Sequence, residues 1–122
     1  MGPGNPRRWI GRWILAVALL HALGAVFLYA APLREMAGAG LIATADDYSL
    51  RATAYWFFAF APLLAVLGLL IDAMEARRFA VPFSAALLLL LTLVAMVAVM
   101  PANGAWLPFP PAMDLLLGAR RR

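Results

Sequence analysis

One imidazole, His21, stands inside a long apolar run, and a small charged set, Arg34, Glu35, Asp46, Asp47 and Arg51, follows it. An imidazole and a carboxylate held away from water are the pair that general acid–base chemistry requires. His21 and Glu35 are therefore the candidate proton donor and acceptor of an intramembrane enzyme, one that isomerises or cyclises a lipid or isoprenoid. Arg34 and Arg51 suit a different task. With Trp56, Asn103 and Trp106 they make a candidate ligand site, the aromatic rings holding an apolar body and a guanidinium holding an anionic head.

Each of these residues also has a plainer reading. At roughly 13 Å of helix rise past Arg12, His21 lies near the middle of a bilayer. A neutral imidazole there bonds to the hydroxyl of Ser84 or Thr92, or to the Phe58 carbonyl that Pro62 leaves without its helical partner. Glu35 pairs with Arg51 and closes the segment between them over the helices, which frees Arg34 to meet an anion. Trp56 and Trp106 serve equally as anchors at the membrane interface. Asp47 caps the following helix with Asp46 solvated beside it, Asp114 pairs with Arg12, and Asp72, Glu75, Arg77 and Arg78 form a solvated loop. The chain has no cysteine and one histidine, which removes disulfides, thiolate chemistry and paired-histidine metal sites. Neither a metal nor a cofactor is expected.

The elements that must position these residues follow from composition. Of 122 residues, 66% are hydrophobic and 13% charged, against about 45–50% and 25% in an average soluble domain. Such a chain cannot cover itself in water. A bilayer core about 30 Å thick takes roughly 20 apolar residues of helix, and four runs qualify: 13–31, 52–71, 79–100 and 102–119. The last contains Asn103, Asp114 and three prolines, so its first half is expected to be irregular with a helix starting near Pro110. A cavity is expected above it, walled by Trp56, Trp106 and Phe109 with His21 as its floor.

All ten basic residues are arginines, giving a net charge of +4. Arg7, Arg8, Arg12, Arg77, Arg78 and Arg120 to Arg122 flank the runs on one side, and Arg34 and Arg51 lie on the other, in the loop 32–51. That bias predicts an all-α, four-helix transmembrane bundle with both termini cytoplasmic, rather than a nucleic-acid binder. The first run is longer than a signal-peptide core and lacks its cleavage pattern, so it reads as a retained span. Small residues mark the expected helix contacts: Ala18, Ala22 and Ala25; Ala54, Ala61, Ala65 and Gly68; and Ser84, Thr92 and Ala95. The first two helices are the expected inner pair.

The segments Arg8-Trp9-Ile10-Gly11-Arg12-Trp13, Pro32-Leu33-Arg34-Glu35-Met36-Ala37, Arg51 to Trp56-Phe57, and Met100-Pro101-Ala102-Asn103-Gly104-Ala105-Trp106 with Pro110-Pro111 resemble a family of small bacterial membrane proteins of unknown function. The resemblance covers nearly the whole chain and implies four spans in a bacterial inner membrane. A looser similarity, in size and span number, is to the DoxX-like and small multidrug resistance groups. Proton-coupled exporters of the latter kind use a carboxylate in the first span, where this chain has His21. The leading expectation is a pocket for a membrane lipid or lipophilic small molecule in the extracytoplasmic half, in a binding protein or an accessory subunit. The enzyme and the exporter are the alternatives, and the bundle stands alone, as a homodimer, or with a partner membrane protein.

Overall fold

The computed structural model describes residues 8–45 and 49–120; Arg7, Asp46, Asp47, Tyr48, Arg121 and Arg122 lie outside them. Regular structure among the described residues is helical throughout: α1 (Ile10–Leu28), α2 (Ala30–Gly38), α3 (Leu50–Ala76), α4 (Phe83–Val99) and α5 (Phe109–Arg120), with a 3₁₀ turn at Gly104–Trp106. Two of these, α1 and α3, are long and apolar enough to cross a membrane. The apolar helix α4 has 17 residues, about 25 Å, and α5 has 12, about 18 Å.

Proline and cap chemistry set the helix boundaries, and they move several of the expected ones. The first helix stops at Leu28 rather than Ala31, because Pro32 has no N–H for the Leu28 carbonyl and its ring would collide with it. The chain turns at Tyr29 and restarts as α2, with Pro32 in a first turn that needs no donor. Ser49 caps α3 in the role expected of Asp47, its hydroxyl oxygen accepting from Ala52 N at 3.1 Å. That helix runs unbroken through Pro62 and continues five residues past Ile71 to Ala76. Arg78, at φ 57°, turns the chain out, and Phe79 N donates back to Met74 O. At the other end of the chain, α5 begins at Phe109 with Pro110 and Pro111 in its first turn, as the proline run predicts.

The main seam joins α1 and α3. Gly11, Ala18 and Ala25 on α1 and Ala54, Ala61 and Gly68 on α3 are all buried, and each set repeats every seven residues. That period keeps a stripe on one side of a helix, and small side chains let the two backbones approach closely. At Gly11 a methyl group would stand 2.6 Å from Gly68 O and would run into the backbone of Asp72. Ala22 and Ala65 are only half-buried. On α4 the packed residues are Ala86 and Leu93, not the expected Ser84, Thr92 and Ala95, which are exposed. Thr92 satisfies its hydroxyl within its own helix, on Leu88 O at 2.8 Å.

The remaining helices fill in around this pair. α5 packs on α1 and α4, and α2 folds back on α3 and α1. Ile10, Ile14, Ile71, Ala86 and Leu115 form one core cluster to which all four longer elements contribute, at the end carrying the termini. Farther along α4, Leu93 packs with Ala105 and Ala112, so the 3₁₀ turn lies against the side of α4 rather than beyond its tip.

Candidate functional site

His21 projects from α1 toward α3. Its Nε2 lies 2.9 Å from the carbonyl oxygen of Phe57, and since a carbonyl only accepts, Nε2 carries the hydrogen. The imidazole stacks on the Phe57 ring at 4.1 Å and meets Phe60 edge-on at 5.5 Å. The partner is therefore Phe57, not Phe58, Ser84 or Thr92. Phe57 shares the face of Ala54 and Ala61, whereas Phe58, one position on, is exposed.

Glu35 and Arg51 form the expected ion pair. Arg51 donates to Glu35 Oε2 from Nε at 3.2 Å and from Nη2 at 3.1 Å, and from Nη1 to the carbonyl of Thr44 at 3.2 Å. One guanidinium thus ties α2, the connecting strap 39–45 and α3 together. Both N–H groups aimed at Glu35 share a single carboxylate oxygen, so the pair lacks the two-oxygen fork of the strongest arginine contacts. It is also largely exposed, and exposed pairs contribute about 0–1 kcal/mol. Arg34, on the same helix, is exposed and has no ion-pair or hydrogen-bond partner among the described residues.

Beside this clamp lies an open-sided cleft of about 340 Å³, lined by Met36 of α2, Leu41, Ala43, Thr44 and Ala45 of the strap, and Ala52, Tyr55 and Trp56 of α3, the last two themselves 49% and 70% exposed. Its roof is conformationally costly. Gly40, Leu41 and Ala43 have φ of 94°, 68° and 54°, and left-handed backbone costs a non-glycine residue about 1–2 kcal/mol. Local bonds hold it: Leu41 N donates to Met36 O at 2.9 Å, and the Thr44 hydroxyl to Leu41 O at 2.9 Å.

Of the walls expected for one central cavity, Trp56 lines this one, while His21, Trp106 and Phe109 do not. Asn103 and Trp106 serve the irregular backbone instead. The Asn103 amide donates to Met96 O at 3.0 Å, and its oxygen accepts from Ala105 N at 2.7 Å. Trp106 donates its indole N–H to Pro101 O at 2.8 Å and stacks on Phe109. Trp13 reaches across from α1 to Leu107 O at 2.8 Å. Three side chains thereby bond backbone groups along the connection between α4 and α5: Pro101 O, Leu107 O, Ala105 N and Met96 O, the last of which also accepts from Met100 N.

At the end carrying the termini, the structure assembles a polar cluster where a solvated loop was expected. Asp72 accepts from Arg8 through both oxygens and lies 3.6 Å from Arg12 Nε. Glu75 accepts from the backbone N–H of Ile10 at 3.2 Å and of Gly11 at 2.9 Å, capping an α1 that has no cap of its own. Asp114 accepts from the Trp9 indole at 3.0 Å rather than pairing with Arg12. The sequence signal was present: Glu75 is the next seven-residue step after Ala54, Ala61 and Gly68, and so faces α1.

No group of three or more His, Cys, Asp or Glu side chains among the described residues is placed to hold a metal ion. Residues 5–122 match the model of a family described as one of unknown function, DUF6463. No curated protein and no solved structure matches the chain.

Proposed function

We propose, from the premise that the chain belongs to this family of unknown function, DUF6463, that it is a bacterial inner-membrane protein holding a lipophilic small molecule or lipid on its extracytoplasmic side. The observation that carries the reading is the cavity between α2, the strap and α3: its volume lies within the range of small-molecule sites, its walls include Met36, Leu41, Tyr55 and Trp56, and Arg51 reaches its rim at Thr44. The polypeptide crosses four times with both termini cytoplasmic, and the fourth crossing is divided between the irregular segment 100–108 and α5. Support for this comes from the apolar lengths of α1 and α3 and the arginines gathered at the end of the termini. The enzyme and exporter readings gain no support from the geometry. His21 Nε2 and Glu35 Oε2 are engaged by different partners, Phe57 O and Arg51, and the two side chains are not brought together.

Quenching of tryptophan emission by dibromostearic acid and by the corresponding dibromo alcohol tests the pocket. The expected result, in the full chain reconstituted in phosphatidylcholine vesicles, is saturable quenching by at least one of the two. It should be lost in Trp56→Phe and retained in Trp106→Phe. Quenching that rises linearly with quencher content, or that survives Trp56→Phe, removes the pocket.

A further inference from the structure

We propose that the strap 39–45 is a strained lid latched by Arg51, and that an anionic amphiphile opens it by taking the Arg51 guanidinium from Glu35. The inference rests on the pocket reading above and adds to it the charge of the ligand and the means of entry.

Three observations converge on it. The latch is weak by construction, since Arg51 Nε and Nη2 both point at one oxygen of an exposed carboxylate. A carboxylate or phosphate head that offers two oxygens makes the bidentate contact that Glu35 does not. The lid stores backbone strain, because Leu41 and Ala43 both hold left-handed conformations. Its closure depends in part on the bond from Arg51 Nη1 to Thr44 O, so movement of the guanidinium toward an incoming anion releases the strap and α2 together. Finally, Arg34 supplies a second guanidinium on the same helix as Glu35, without a partner among the described residues; the loop as a whole sets Glu35, Asp46 and Asp47 against Arg34 and Arg51, so the attraction for an anion is local to the two guanidinium groups. Glu35 cannot shift onto Arg34, because adjacent residues of a helix do not face each other. Beside the latch, buried Met36 and half-buried Ala52 form the inner wall, reached past the strap, and exposed Tyr55 and Trp56 the outer one that the body of an amphiphile would meet first.

Because the chain has no cysteine, one introduced thiol reports the lid. The full chain carrying Ala52→Cys, on the cavity wall, is labelled with an uncharged maleimide in vesicles of phosphatidylcholine alone, or with added phosphatidylglycerol, oleic acid or diacylglycerol. Gly38→Cys, at an exposed position with open space around it, corrects for reagent access at the vesicle surface. The expected result is a severalfold rise in the Ala52→Cys labelling rate with phosphatidylglycerol, oleic acid or both, and none with diacylglycerol. Which of the two acts identifies the source of the anion as a membrane phospholipid or a free fatty acid. Adding Glu35→Gln should raise labelling in phosphatidylcholine alone, and adding Arg51→Gln should abolish the response to the anion. If Arg51→Gln fails to fold, the Glu35→Gln result and the lipid series decide. Equal labelling in all four vesicles, or a response to diacylglycerol equal to that of the anions, overturns the proposal. Saturable Trp56 quenching by the dibromo alcohol would then leave the pocket standing as a neutral-ligand site, and loss of both signals would remove the pocket as well.

Discussion

Gly11 and Glu75 show how single residues fix the α1–α3 seam. A methyl group on Gly11 has nowhere to go, since the obstacles are the backbones of Gly68 and Asp72 rather than flexible side-chain ends. Gly24, on the same helix, has open space around its Cβ position. Gly11→Ala is therefore expected to destabilise the protein by about 1–3 kcal/mol through overpacking, whereas Gly24→Ala should stabilise it by about 0.5–1 kcal/mol through helix propensity. Unfolding of both variants in mixed micelles against the unmodified chain checks this, and equal effects would mean that the helices do not touch at Gly11. Neither role was legible from residue type alone. Gly11 fell outside the apolar run that began at Trp13, and Glu75 looked like a loop charge because its helix was expected to end at Ile71. The seven-residue repeat, extended one step back from Ala18 and one step on from Gly68, reaches both.

At the scale of elements, the sequence made the apolar blocks legible and the turns between them less so. Apolar length identified α1, α3 and α4, and the proline run placed the start of α5. What it did not reveal was that α2 is a separate helix made by the break before Pro32, or that the 3₁₀ turn folds back along α4 beside Leu93. Both depend on where backbone hydrogen bonds go, and apolar content carries no information about that. The aromatic and amide residues expected to converge on one cavity were separated for the same reason: Asn103 and Trp106 are taken up in satisfying the chain between α4 and α5. Asn103→Ala removes the side-chain partner of Ala105 N and one of two partners of Met96 O, which keeps Met100 N, and should cost about 0.5–1.5 kcal/mol. The expected sign of this role is faster amide exchange at Ala105 and Leu107 with the Trp56 quenching unchanged. Loss of that quenching would instead connect Asn103 to the ligand site.

On the scale of the whole molecule, the contacts among helix ends and the distribution of charge point the same way. Glu75 ties the end of α3 to the start of α1, Trp9 ties α5 to that same end, and Trp13 ties the segment just before α5 to α1. The arginine-bearing segments before α1 and after α3 are therefore neighbours, as is the C-terminal part of α5, whose Gly118 and Ala119 line a second cavity with Ile10. At the opposite end Glu35 offsets Arg51, leaving Arg34 as the unopposed cation among the described residues. On the proposed membrane reading, the positive-inside rule would orient the molecule as a unit, a prediction that α5 alone, at about 18 Å, is too short to decide. A fluorescent reporter that matures only in the cytoplasm should be active when fused to either terminus. An alkaline phosphatase active only outside the cytoplasm should be active when inserted after Ile42, in the exposed strap. If the C-terminal fusion reported the outer side, α5 could not lie beside Trp9, and the Trp9–Asp114 and Trp13–Leu107 bonds would have to be absent from the membrane-embedded protein. If both termini reported the outer side, the helix contacts would stand while the arginine argument failed, and the cavity under the strap would open to the cytoplasm.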